Sequence, residues 1–283
     1  MNPDNPQSPF PDLPLHEFEY EFPVLDSAGR VTERHSGRGW EWIQDLDSGV
    51  TLEMIAIPGG MFQMGSTHLS DPSEETPQHL VSVKSFFLAR GLITQEQWNQ
   101  VVGKPLPCRF IGPHLPVENV TWREAVTFCK KLARLAGGPD YRLPSESEWE
   151  YACRAGTGTP FSSGATLTTD LANFCGPHTY KAEPPGLYRH KSTPSGTFPP
   201  NPFGLYDMHA NLWEWCADGW HADYSGAPLD GSAWENGAEP GARVTRGGSW
   251  HEPPANCRSS SRLRQNETER DDLTGFRVAF SRW

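Results

Sequence analysis

Residues 246–262 read RGGSWHEPPANCRSSSR, a glycine-rich turn that runs into a proline-rich loop holding one cysteine, Cys257. A thiol there could serve as a nucleophile or as a ligand for a soft metal ion. Either use needs help, because a nucleophilic thiol requires a base or cation that lowers its pKa, and a copper site requires further soft donors. No adjacent histidine or second cysteine supplies it, so Cys257 is expected to be a buried framework residue beneath the loop. The six cysteines stand at 108, 129, 153, 175, 216 and 257 with no C-x-x-C pair, which argues against zinc-finger and thioredoxin-type chemistry. Asp271 and Asp272 could be pictured as a general acid and base, but adjacent loop carboxylates are usually just solvated, and no glycosidase is inferred.

Composition narrows the partners. Lys and Arg number 24 against 35 Asp and Glu, a net charge of -11, and no basic run offers a phosphate-binding face. Nucleic acid is therefore excluded as an expected partner. No apolar run approaches 20 residues and the N-terminus lacks a signal-peptide pattern, so neither a membrane span nor export is expected and the location expected is cytoplasmic. Only 36% of residues are hydrophobic, yet there are 11 Trp, 14 Phe and 7 Tyr, so aromatic rings must fill much of the core. Gly and Pro at 27 each suit long ordered loops better than a helical bundle.

The elements that must position these residues are announced locally. FEYEFPVLD (18–26) alternates as a strand does, and TLEMIAIPGGMFQMGS (51–66) reads as strand, turn and strand. Three helices open on capping boxes, Thr94 with Gln97, Thr121 with Glu124 and Ser145 with Glu148, in which hydroxyl and N3 side chain satisfy the amides that a helix start leaves unpaired. The second carries Ala125, Phe128, Cys129, Leu132, Leu135 and Ala136 on one stripe and stops at Gly137–Gly138. Helical periodicity thus places Cys129 and Cys153 in the core. Beyond 155 the signals become short aromatic runs between turns, with strands expected at RVTRGGSW and GFRVAFSRW. Trp213, Trp215 and Trp250 are read as core rather than as sugar-stacking platforms, and Arg246, Arg258, Arg262 and Arg277 as braces that tie loops to carboxylates such as Glu214 and Asp218.

Taken in order, IPGGMFQMGS, EETPQHLVSVKSFFLARGLIT, PVENVTWREAVTFCKKLA, YRLPSESEWEYACRAG, FGLYDMHANLWEWCADGW, RVTRGGSW and TGFRVA resemble the formylglycine-generating enzyme, or sulfatase-modifying factor, domain. The resemblance covers about residues 50 to 283. It implies an α+β, C-type lectin fold of the formylglycine-generating-enzyme subtype, with low regular secondary structure and long ordered loops. The expected layout is a disordered tail over 1–17, an N-terminal extension packed on the domain over 18–50, and the domain itself over 51–283.

The resemblance also states what is missing. Its enzymes oxidise a sulfatase cysteine through two active-site cysteines, with four residues between them, that bind copper. In this chain Cys257 falls on the second and Glu252 on the first, a hard oxygen donor that cannot replace the thiolate. Copper is accordingly not expected. Related sulfoxide synthases use a histidine triad, and the ten histidines here do not cluster as H-x-x-x-H-x-E. The segment from 240 to 280 is similar instead to the variable region of diversity-generating retroelement proteins, which display a binding face on this scaffold. The face expected by that likeness comprises His251, Glu252, Pro254, Ser259, Ser261, Leu263, Gln265, Glu267, Glu269 and Asp271, offered to a protein or other macromolecular ligand. Structural calcium is implied through Asn211 and Glu214, with a second site through Asn173 and the carbonyl region of Tyr188 that lacks its usual aspartate at Gly186. The leading expectation is a non-catalytic binding protein; the alternatives are a copper-dependent oxidase acting through Cys257 and an accessory or sensory domain.

Overall fold

In the computed structural model, which describes residues 8–67 and 71–281, the first strand β1 (His16–Leu25) folds back on β2 (Val31–Asp45) as a long antiparallel ribbon. Its alternation sets Phe18 opposite Gly39 and Tyr20 opposite Gly37. A Cβ added at Gly37 would come within 2.5 Å of the Tyr20 ring, so glycine there is what lets the aromatic lie flat across the ribbon. The Tyr20 hydroxyl donates to the Pro202 carbonyl at 2.8 Å and ties the ribbon down. The stretch RHSGRGWEWIQDL (34–46), in sequence a connection between two ribbons, lies almost wholly in β2, because it gains β1 on one edge and β3 (Thr51–Ile57) on the other. The chain before β1 is also anchored where described: Phe10 is buried and stacks on Phe87 at 4.4 Å.

The turn after β3 does not make a hairpin. β4 (Gly60–Met64) pairs with β5 (His79–Val83) in a separate ribbon, whereas β3 pairs with β6 (Phe86–Ala89). The largest sheet runs β1-β2-β3-β6-β11, where β11 is Ala279–Phe280, and so unites the two ends of the chain. A second sheet, β10-β7-β8-β9, holds β7 (Trp213–Gly219), β8 (Ala242–Arg246), β9 (Arg262–Asn266) and β10 (Thr274–Gly275).

Helices α1 (Gln95–Val102), α2 (Trp122–Ala136) and α3 (Glu146–Arg154) begin at the three expected caps, each with both halves of its capping box in place. α2 buries Ala125, Phe128, Cys129 and Leu132 and ends where Gly137 turns left-handed at φ 66°. Phe128 lies between Trp98 at 5.4 Å and Phe276 at 5.3 Å; such a side chain contributes about 2 to 3 kcal/mol when fully buried. The result is a mixed α+β fold with several long loops, and among its described residues no helix is long and apolar enough to cross a membrane.

Candidate functional site

The turn that opens the C-terminal loop is built from two left-handed glycines, Gly247 at φ 102° and Gly248 at φ 81°. A Cβ at Gly248 would lie 2.5 Å from the Cys257 sulfur, so the thiol packs directly against the turn. Cys257 is fully buried with Phe161, Leu167, Ala172, Phe174 and Ala210. Burial pushes its thiol well above the ordinary range, and the nearby Glu252 carboxylate adds to the rise. A thiolate is thus disfavoured where an oxidase would require one. All six cysteines are free, and among the described residues no group of three or more His, Cys, Asp or Glu side chains converges to hold a metal.

His209 fixes the far side of this loop. Its Nε2 faces the backbone N–H of Ser162 at 2.9 Å and must accept, so the proton resides on Nδ1, which donates to the Cys257 carbonyl at 2.8 Å. The Ser162 hydroxyl also stands 3.0 Å from Nε2, a spacing that resembles a serine–histidine dyad. It is a poor one. Desolvation lowers the imidazole to about 4, which makes it a weak base, and the adjoining cavity of about 30 Å³ has room for a water rather than a substrate.

Outside this buried layer, the loop presents an aromatic face. The Tyr188 hydroxyl meets His251 Nδ1 at 2.5 Å, the His190 ring lies 3.7 Å from that of Tyr188, and Trp250 stacks behind Tyr188 at 6.2 Å. Phe110 packs edge-on against Trp250, and the residues beside Phe110 and Tyr188 in the chain, Ile111 and Leu187, are 78% and 62% exposed. Glu118 supports this wall from below: its carboxylate accepts the backbone N–H groups of Arg109 and Phe110. Glu252 is held by Asn256 Nδ2 at 2.6 Å and more loosely by Trp213 Nε1 at 3.5 Å, while its carbonyl accepts the Cys175 N–H.

The expected binding face is only partly assembled. His251, Leu263 and Glu269 are exposed, and Glu252, Glu267 and Asp271 are half-buried. Pro254, Ser259, Ser261 and Gln265 lie inside, because the loop turns through a 3-10 segment (Pro254–Cys257) and Gln265 faces inward from β9 onto Thr274 and Asp271. Glu267 is occupied by Arg123 and Arg243. Phe110, Tyr188 and His190 do not belong to the expected face; their segments show no periodicity, and only the chain path brings Phe110 and Tyr188 to Trp250 and His190 to Tyr188.

The calcium ligands implied at the first site do not fit a cation. Arg277 takes both oxygens of Glu214, at 2.6 and 2.7 Å, and Trp149 Nε1 adds a third donor at 3.0 Å. The Asn211 side-chain oxygen accepts from Thr193 N and Asn173 Nδ2. Binding there would have to expel a buried guanidinium. At the second site Asn173 Oδ1 is buried without a partner, as one oxygen ligand would be, but no side-chain carboxylate stands at Gly186 to join it. Glu214 instead belongs to a frame of arginine–carboxylate pairs: Arg277 with Glu214, Arg246 with Glu150, Arg262 with Glu146 and Arg258 with Glu75. The bracing expected of these four arginines is present, although Asp218 is not one of their bonded partners; it accepts backbone amides instead.

A loop-rich α+β domain, with its C-terminal turn locked by two glycines over a buried arginine–carboxylate frame, defines the class of protein. The chain belongs to the sulfatase-modifying factor enzyme 1-like domain family, which it matches over residues 41–282. It is 28% identical over 258 residues to the serine/threonine-protein kinase pkn1 of Chlamydia pneumoniae, covering 81% of this chain and 38% of that protein. To the formylglycine-generating enzyme of Thermomonospora curvata it is 36% identical over 176 residues, 59% of this chain and 56% of that one. The chain thus spans well under two thirds of the length of these relatives. Among solved structures, PvdO from Pseudomonas aeruginosa superposes with a TM-score of 0.72 at 32% identity, covering 85% of this chain and 98% of that one. Variable protein 1 of Treponema denticola gives 0.72 at 26% identity, with 85% and 99% covered.

Proposed function

We propose that this domain is a non-catalytic ligand-binding member of its family, a C-type-lectin-like scaffold that displays a protein-binding face around Tyr188, His251 and the exposed residues of the 240–280 segment. The observation that carries this reading is the state of Cys257: one fully buried, protonated thiol with the Glu252 carboxylate near it, where the family resemblance would set a second sulfur. Two-sulfur copper chemistry has no foothold there. The exposed His251 and His190 rings and the half-buried Tyr188 suit a macromolecular surface, since large amphipathic side chains with few torsions give contact area at low entropic cost. The likeness to the Treponema variable protein supports retroelement diversification of the exposed positions. Titration with Cu(I), combined with an oxygen-dependent assay for loss of a peptide thiol, tests the reading. Tight copper binding that depends on Cys257 and is accompanied by thiol loss would overturn it.

A second reading, a copper-dependent oxidase converting a protein cysteine to formylglycine, is favoured by the names of the relatives more than the first is. A formylglycine-generating enzyme reaches 36% identity over 176 residues. The same titration decides between the two. The kinase match supports a third, narrower variant, an accessory domain in a signalling protein, in which the face would bind without any sequence diversification. Neighbouring DNA separates that variant from the first: diversification requires a reverse transcriptase and a near-copy of the segment coding for about 240–280, differing at adenines.

A further inference from the structure

Residues 220–241, between β7 and β8, form a loop without helix or strand, and their 230–233 stretch walls a cleft of about 340 Å³. Across that cleft lie Lys84, Arg142, Ser145 and Ser281. The loop is fastened at an unusual point. The His221 ring lies parallel to that of Trp234, with 3.5 Å between centroids and 3° between planes. Its Nδ1 is 3.2 Å from the Gly219 carbonyl and its Nε2 is 3.1 Å from the Asn236 carbonyl. A carbonyl only accepts, so each contact requires an N–H on the ring, and a neutral imidazole has one. Both bonds are made together only by the imidazolium, whose charge then rests against the face of Trp234.

We propose that the 220–241 loop is a lid operated by a proton, in which the His221 imidazolium latches the Trp234–Asn236 stretch to the end of β7 and release of the proton frees one of its two bonds and loosens the cleft wall. The inference is independent of what the domain binds on its aromatic face. The other charged groups around the latch have assigned places. From β7, Asp218 accepts the Trp234 N–H at 2.8 Å and the Glu146 N–H at 2.7 Å. From β9, Arg262 donates to the His221 carbonyl at 3.2 Å and to the Glu74 carbonyl of the 73–75 turn, and its guanidinium is paired with Glu146 of α3. Within the loop, Asp223 and Glu235 are exposed and Glu239 is bound by Arg264. Asp218 is the one group that could imitate the latch, because burial, with Glu146 adding to it, pushes its carboxyl up to about 7 and it holds the same residue, Trp234.

The test uses the full chain. Nitrogen NMR of the His221 ring between pH 5.5 and 8 is combined with amide hydrogen exchange of residues 234–239, corrected for the intrinsic rate. The latch predicts two ring N–H groups on the acid side and protection about fivefold greater at pH 6 than at pH 8, the factor expected for one net hydrogen bond. His221→Gln should show the low protection at both pH values, and Asp218→Asn should retain the drop. A ring that stays in one neutral tautomer throughout, or protection unchanged with pH in the wild type, would refute the latch. So would a drop that survives in His221→Gln and vanishes in Asp218→Asn, since that pattern assigns the titration to the aspartate.

Discussion

Acidification should strike this fold first at His209. The ring is held neutral, with Nδ1–H donating to the Cys257 carbonyl and Nε2 accepting from Ser162 N, and it lies near about 4 against an ordinary 6.5, chiefly through desolvation. Because the folded value is below the unfolded one, the folded state binds fewer protons, so the stability from His209 is complete above pH 6.5 and is lost as pH falls toward 4. The linkage relation puts that loss at about 2 kcal/mol by pH 5 and about 3 kcal/mol by pH 4. Asp207 and Asp218 are buried and shifted upward, to about 6 and about 7, and so act with the opposite sign, gaining relative stability on acidification. A comparison of two proteins removes their contribution. His209→Gln retains a donor toward Cys257 and an acceptor toward Ser162 but does not titrate; it should cost about 1 kcal/mol at pH 7, in the range of one imperfect hydrogen bond. Urea unfolding of both proteins at pH 7, 6 and 5 should then show their difference shifting by about 2 kcal/mol, so that the variant, the less stable of the two at pH 7, becomes the more stable at pH 5. A difference that stays constant across this range would refute the assigned protonation state.

Other consequences are equally direct. Gly248→Ala combines a strained left-handed φ with a Cβ 2.5 Å from the Cys257 sulfur, and should lower stability by at least about 2 kcal/mol in thermal unfolding. Glu214→Ala strands the buried Arg277 guanidinium and should cost about 3 to 5 kcal/mol, enough to prevent folding of a marginal domain, read as loss of soluble protein or of a cooperative transition. Cys257→Ala should destabilise by about 1 to 2 kcal/mol through the cavity it opens, measured by denaturant midpoint. Because Arg277 fills the Glu214 site, chelator and added calcium should shift Tm by less than about 1 °C in differential scanning calorimetry.

Much of the fold was legible because its cues are local. Each capping box needs only two side chains three residues apart, so Thr94, Thr121 and Ser145 could be read directly, and the stripe of α2 follows from helical periodicity. The buried place of Cys257 was also legible, from the absence of any chemical helper in the loop. Pairing was less accessible: residues 51–66 read as strand, Pro-Gly-Gly turn and strand, but nothing local says that β3 and β4 enter different sheets, where β6 and β5 claim their edges. The binding face was the least accessible. Ser259 and Ser261 are small and polar in sequence, and only the 3-10 turn before them and the backing of Arg246, which takes their carbonyls, direct them inward.

The amino-acid sequence by itself determined the helix boundaries, the aromatic character of the core and the presence of a single cysteine in the 246–262 loop, since each depends on residue types within a few positions of one another. Tertiary structure alone decided that Arg277 occupies the Glu214 carboxylate, that His209 reaches Cys257 from 48 residues away, and that Phe110 and Tyr188 both pack on Trp250. The physical reason is that a buried charge or ring nitrogen takes whichever partner the folded chain delivers to it, and that choice is made by long-range packing rather than by spacing along the chain.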